Sequence, residues 1–173
     1  MRESEGKGLL VLGGARSGKS RHAQTHIEAC GTRLVYLATA QAFDAEMEQR
    51  IARHRGERDA RWSTREVPLA LAEEIAAVRD VDGILVDCLT LWLSNLMLAG
   101  RDCEAEATRL IDALRACRVP IALVSNEVGM GIVPENALSR GFRDEAGRLN
   151  QRIAASVERV VFVAAGLPLV LKG

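Results

Sequence analysis

The densest chemistry in the sequence lies near its start. Gly13-Gly-Ala-Arg-Ser-Gly-Lys19-Ser20 fits the pattern GxxxxGK[ST]. Such a loop is credible only between a strand and a helix, because its backbone N–H groups and the helix N-terminus must converge on one polyphosphate. The flanks supply that context. Gly8-Leu-Leu-Val-Leu12 reads as a buried strand, and residues 19–29 read as a helix. Gly13, Gly14, Ala15, Arg16, Ser17, Gly18, Lys19 and Ser20 are therefore candidate nucleotide contacts. The Lys19 ammonium would reach the outer phosphates, and the Ser20 hydroxyl would ligate Mg²⁺. A second acid is needed near that metal. Asp87, at the end of the apolar run Gly83-Ile-Leu-Val-Asp87, is the candidate. The plainer alternative for Asp87 is a cap on the following turn.

A different chemistry is possible around His54, which is surrounded in sequence by Arg50, Arg53, Arg55, Arg58 and Arg61. Neighbouring cations disfavour imidazolium, which leaves a neutral ring able to act as a nucleophile near pH 7. The same cations could hold a triphosphate. Taken alone, the segment reads more simply as a solvated Arg/Glu helix face with an idle histidine. His22 and His26 share a face of the first helix but have no nearby acid pattern, so they read as surface or packing residues.

These residues need a scaffold. Further strands are expected at residues 33–38, 120–125, 159–164 and 167–171. Helices are expected at 44–58, 68–79 (with Pro68 in its first turn), 89–99, 104–118 and 139–156. Continuous apolar strands separated by helices imply a mainly parallel sheet covered on both faces. The last two strands are joined too tightly for a crossover, so they should form an antiparallel hairpin at one edge. The fold class is α/β, with one nucleotide-binding domain over residues 1–173 and a polar tail at residues 1–7. The helix at 89–99 could serve as core or as subunit contact. The loop at residues 127–136 is rich in glycine and apolar residues and could wall a large substrate.

Composition narrows the function. The chain has 173 residues, 48% of them hydrophobic, and equal numbers of basic and acidic residues, 23 each. Zero net charge argues against nonspecific binding to nucleic acid or to anionic membranes. There is no run of 18 apolar residues and no signal-like apolar segment, so a cytoplasmic protein without a membrane span is expected. Four scattered cysteines with no CxxC pair give no zinc ribbon or redox centre. Only three residues are lysine, and none forms the Asn-Lys-x-Asp signature of a guanine-reading switch. A small-molecule transferase remains, with a simple metabolite kinase or a nucleotide-dependent regulatory module as alternatives.

Several segments, in order along nearly the whole chain, resemble the bifunctional adenosylcobinamide kinase/adenosylcobinamide-phosphate guanylyltransferase family of cobalamin biosynthesis. They are the run from Gly13 to His22, Tyr36-Leu-Ala-Thr39, Arg50-Ile-Ala-Arg-His-Arg55, Trp62-Ser-Thr-Arg-Glu66, Asn126-Glu-Val-Gly-Met-Gly-Ile-Val-Pro-Glu-Asn136 and Phe142-Arg-Asp-Glu-Ala-Gly-Arg-Leu-Asn-Gln151. The resemblance implies a P-loop NTPase domain with a RecA-like sheet and a homotrimer. It implies ATP and GTP as substrates with Mg²⁺, and adenosylcobinamide and its phosphate as acceptors. It makes His54 the guanylylated nucleophile, and Lys19 the catalytic cation of the phosphate loop. It adds Leu37, Ala38, Thr39, Asp59, Ala60, Arg61, Trp62 and Glu66 to the nucleotide contacts, and Ser20 and Asp87 as the metal ligands. The chain departs from the family at Arg58-Asp59, where Arg-Pro is frequent, and at Arg53, where some members have a second histidine. Asp87 stands where some relatives have Glu. None of these changes removes a named chemical group.

Overall fold

A computed structural model describes residues 8–41, 56 and 58–173. The elements run β1 (Gly8–Gly13), α1 (Lys19–Glu28), β2 (Leu34–Ala38), β3 (Trp62–Glu66), α2 (Leu71–Ala77), β4 (Gly83–Asp87), α3 (Leu89–Leu98), α4 (Cys103–Ala116), β5 (Ile121–Asn126), α5 (Ala137–Ser156), β6 (Arg159–Ala164) and β7 (Leu167–Lys172). The strands form one sheet in the order β3-β2-β4-β5-β1-β6-β7. All neighbours pair parallel except β6 and β7, which pair antiparallel. This is the expected α/β sheet with its edge hairpin.

Both faces of the sheet are covered, as continuous apolar strands require. Leu9, Val11, Tyr36, Leu85, Ala122 and Val124 pack with Ala23 and Ile27 of α1 on one face. Leu10, Val35, Leu37, Ile84, Val86 and Leu123 pack on the other face with α2, α3, α4 and α5. Alternation along each strand sorts these residues between the two clusters. The α3 helix belongs to the core, because Leu89, Trp92, Leu93 and Leu96 are all buried. Asp102 caps α4, its carboxylate accepting from the N–H groups of Glu104 and Ala105 at 3.0 Å.

One expectation needs correction, one strand was not foreseen, and one expected helix lies outside the described residues. Pro68 does not begin a helix; α2 starts at Leu71. The Pro68 and Leu69 carbonyls instead accept from Asn95 Nδ2 (3.0 Å) and Trp92 Nε1 (2.8 Å) of α3, which holds the chain in a bend before the helix. Strand β3, Trp-Ser-Thr-Arg-Glu, was not expected, because only an edge strand with one covered face can be so polar. The helix expected over residues 44–58 falls almost wholly outside the described residues, and so does His54. At its end, Arg58 lies in a bend.

The bottom of the sheet is tied by Asp82. Its carboxylate accepts from the Thr32 and Arg33 N–H groups at 3.0 and 2.9 Å and from the Arg33 guanidinium at 2.9 Å. The hydrogen bond from Arg33 and those from the two backbone N–H groups hold the Asp82 carboxyl down at about 2. A depressed folded-state pKa gives stability that is present above the unfolded value near 3.8 and lost as pH falls toward 2. Asp82→Asn should therefore lower the melting temperature at pH 7. It should also flatten the further fall between pH 4 and pH 2, as followed by circular dichroism.

Candidate functional site at the carboxyl edge of the sheet

The register of the parallel strands assembles the site. Ala38 lies beside both Glu66 and Asp87, Asp87 beside Val124, and Gly13 beside Asn126. The carboxyl ends of β3, β2, β4, β5 and β1 thus form one continuous edge, where open parallel sheets bind ligands. Alternation places Tyr36, Asp87, Asn126 and Gly13 on the α1 face. Their same-face strand mates Leu85, Val124 and Val11 all pack in the α1-side cluster.

The phosphate loop occupies this edge and is braced from both sides. The Glu127 N–H donates to the Gly13 carbonyl at 3.0 Å, and the Gly166 N–H donates to the Ser17 carbonyl at 2.8 Å. Gly166 is in the β6–β7 turn, where Ala165 and Gly166 both have positive φ (51° and 77°). Gly18 caps α1 at φ 95°, a left-handed conformation that suits glycine. A side chain on Gly13 would lie 2.5 Å from both Ser17 Oγ and the Val163 carbonyl. Lys19 Nζ donates to the Gly14 carbonyl at 3.1 Å, so the ammonium folds back across the loop it serves. Ser17 Oγ is buried with no partner among the described residues.

Asp87 is oriented by a chain of contacts. The Tyr36 phenol lies beside its carboxylate, and burial together with that nearby charge pushes the phenol pKa well up, so it keeps its proton. The Arg58 guanidinium stacks over the Tyr36 ring at 3.7 Å, and Trp62 meets the same ring edge-on at 6.3 Å. Arg58 Nη2 also donates to Thr64 Oγ1 at 3.3 Å. The Arg58 guanidinium is thereby held between the Tyr36 ring and strand β3. The Asp87–Cys88 peptide bond is cis. Thr39 is fully buried, and its hydroxyl donates to the Cys88 carbonyl at 2.7 Å and accepts from the Cys88 N–H at 2.9 Å. Asn95 Nδ2 of α3 donates to the Thr39 carbonyl at 2.8 Å. The Thr39 side chain is thus engaged in holding the β4 end, and the Leu37 side chain lies in the opposite-face core.

The site residues expected from sequence divide into two places. Residues 13–20, Ala38, Glu66 and Asp87 share the carboxyl edge. Asp59, Ala60, Arg61 and Trp62 lie at the other end of β3, because Trp62 pairs with Leu34 at the start of β2. There Arg61 is bound by Asp59 at 2.8 Å, and Trp62 Nε1 donates to Glu28 near the end of α1 at 3.1 Å. Within one chain, these four side chains and the phosphate loop stand at opposite ends of α1. Sequence reasoning did not place Tyr36 beside Asp87. An aromatic on the same strand face as a strand-end acid was the available signal.

For a metal, the donor set is one hydroxyl (Ser20) and one carboxylate (Asp87). Hard oxygen donors with the rest supplied by phosphate and water suit Mg²⁺. Among the described residues no cluster of three or more His, Cys, Asp or Glu forms a dedicated cage.

Residues 9–171 match the model of the family described as cobinamide kinase / cobinamide phosphate guanyltransferase. The bifunctional adenosylcobalamin biosynthesis protein CobP of Pseudomonas aeruginosa is 50% identical over 167 residues, covering 95% of this chain and 96% of the relative. The bifunctional adenosylcobalamin biosynthesis protein CobU of Salmonella typhimurium is 42% identical, covering 95% of this chain and 99% of its own. Among solved structures, the RadB recombinase superposes with a TM-score of 0.53 at 16% identity, over 90% of this chain and 73% of that one. An ATPase of a type III secretion system gives a TM-score of 0.53 at 10% identity, over 95% of this chain and 56% of that one. At these identities the structural matches establish the fold alone, a RecA-like P-loop NTPase sheet.

Thr39→Val removes both hydrogen bonds to Cys88 with little change of shape. It should cost about 2–4 kcal/mol in urea unfolding, because two backbone groups are left buried and unpaired. A loss below about 0.5 kcal/mol would mean that the hydroxyl does not hold the β4 end.

Proposed function

The chain belongs to the cobinamide kinase / cobinamide phosphate guanyltransferase family, and on that premise we propose that it carries out both family reactions at the single phosphate cradle described above. The observation that carries this reading is the convergence of the Lys19–Ser20 loop, Asp87 and the Arg58–Tyr36 stack on one face of one sheet edge. In the first reaction, the aminopropanol hydroxyl of adenosylcobinamide attacks the γ-phosphorus of a nucleoside triphosphate. The bond to the β–γ bridging oxygen breaks, and the diphosphate leaves. The loop N–H groups and Lys19 hold the phosphates in line and stabilise the charge that develops on them. Ser20 and Asp87 would hold Mg²⁺, which supplies charge neutralisation across the outer phosphates.

In the second reaction, a neutral His54 nitrogen attacks the α-phosphorus of GTP and pyrophosphate leaves. A phosphate oxygen of adenosylcobinamide phosphate then breaks the P–N bond, giving adenosylcobinamide-GDP and regenerating the imidazole. His54 lies outside the described residues. The reading is supported by its arginine-rich sequence setting and by its joining, through four peptide bonds, to Arg58 over the Tyr36–Asp87 pair. The contacts proposed for Asp59, Ala60, Arg61 and Trp62 stand at the far end of α1. They would meet nucleotide only from another copy or after rearrangement.

The loop after β5 exposes Met130, Ile132 and Val133, which suits the apolar face of a corrinoid. A homotrimer in the cytoplasm completes the reading. Its physical support is the outer strand β7, whose Leu167, Leu169 and Leu171 are exposed on an unpaired edge. No helix among the described residues is long and apolar enough to cross a membrane.

Incubation with α-labelled GTP and Mg²⁺ should leave an acid-labile, base-stable GMP adduct on the protein. His54→Ala should abolish the adduct and guanylyl transfer while retaining phosphorylation of adenosylcobinamide. An adduct that persists in this variant would remove His54 from the chemistry. Kinase turnover without any adduct in the parent protein would instead favour a simple metabolite kinase. Lys19→Ala should slow both reactions by about 100-fold or more.

A further inference from the structure

Among the described residues, nearly all the large apolar side chains that stand in solvent lie in two places. One is strand β7. The other is the loop between β5 and α5, where Met130 is 80% exposed, Ile132 97% and Val133 59%. Single exposed apolar residues are ordinary, but a contiguous group beside a substrate cradle marks a binding surface.

The loop is fastened at both ends. At its start, the Glu127 N–H donates to the Gly13 carbonyl at 3.0 Å, and the Glu127 carboxylate accepts from the Gly129 N–H. At its end, Arg140 donates to the Pro134 carbonyl at 3.0 Å and to the Glu135 carbonyl. Asn136 caps α5 there, accepting from the Ser139 N–H at 2.7 Å. Between these pins, the backbone of residues 130–133 makes no hydrogen bond with the described residues. Apolar side chains and unpaired amide groups are therefore presented together, on a segment tied to the first residue of the phosphate loop.

The phosphate loop, Lys19 and Asp87 suit a triphosphate and offer nothing to an apolar body. An acceptor that is phosphorylated there needs a surface of its own close by. On the reading given above, that acceptor is a corrinoid, a broad macrocycle with apolar faces and a fringe of carboxamides. Its hydroxyl stands at the end of an extended side arm. The unpaired edge of β7 suits a second copy of the chain, because strands add to strands. The loop has no such edge and is joined to the phosphate loop, which suits a substrate. We propose that Met130, Ile132 and Val133 form the acceptor-binding arm, which holds the macrocycle while its side arm reaches the cradle. The macrocycle is common to adenosylcobinamide and its phosphate, so one arm serves both transfers. Capture of GMP by the enzyme needs no acceptor and does not use it. The assignment of the occupant rests on the kinase and guanylyltransferase reading. Binding at so remote a surface also positions the hydroxyl, so loss of the arm lowers turnover as well as affinity.

The test compares the parent protein with the double variant Met130→Ser/Ile132→Ser. Both side chains already stand in solvent, so the variant should melt within about 2 °C of the parent. It should bind the β,γ-imido analogue of GTP and form the GMP adduct as the parent does. Equilibrium dialysis against adenosylcobinamide, read by its colour, should show binding weakened about tenfold or more. The kcat/KM for the acceptor should fall at least as far in both transfers. Unchanged corrinoid binding would overturn the proposal. Equal weakening of corrinoid and nucleotide analogue would make the loop structural and overturn it too. A changed sedimentation coefficient would make the loop a contact between copies, with the same consequence. If the parent binds adenosylcobinamide through these residues yet phosphorylates none, the arm stands and the kinase reading falls. If parent and variant phosphorylate it equally well, the kinase reading stands and the arm falls.

Discussion

A loop that must present many N–H groups to one anion cannot also satisfy itself, so its shape has to be imposed from outside. Here two backbone hydrogen bonds do this, Gly166 to the Ser17 carbonyl and Glu127 to the Gly13 carbonyl. One comes from the terminal hairpin and the other from the end of β5. The hairpin is therefore part of the site and not only an edge to the sheet. The fit is close on that side, since a side chain on Gly18 would come within 3.2 Å of the Gly166 backbone. The helix that follows can then direct its positive end at the cradle without fraying.

The second constraint is on the acid. Asp87 ends a strand whose next peptide is gripped by Thr39, and the buried Tyr36 phenol lies beside its carboxylate. Arg58 over Tyr36 adds positive charge near that acid. A strand-end carboxylate, a buried phenol and a stacked guanidinium form a column from the core to the site.

Much of this was legible in the sequence because it follows from short-range pattern. The phosphate loop, the apolar strands that carry it and Asp87, and the closing hairpin all declare themselves through glycine spacing and continuous hydrophobic runs. What was not legible depends on neighbours distant in sequence. Strand β3 forms because β2 lies beside it and pairs with its backbone. Pro68 fails to start a helix because Trp92 and Asn95, more than twenty residues later, take the carbonyls around it. The Thr39 hydroxyl holds the Cys88 backbone, a contact across nearly fifty residues that no local pattern announces. Asp59 to Trp62 follow the arginine-rich segment closely, yet the chain turns there into the bottom of β3, and Asp59 and Glu28 take up the Arg61 charge. Met130, Ile132 and Val133 lay inside a recognised motif, but nothing in the motif reveals that they stand in solvent on a loop pinned at both ends.

The central claim is that one cradle serves two reactions by presenting different phosphorus atoms of a triphosphate. Isothermal titration with non-hydrolysable GTP and ATP analogues, alone and in competition, tests this most directly. The account predicts one nucleotide per chain, with either analogue displacing the other. Two nucleotides bound independently to the same chain would contradict it.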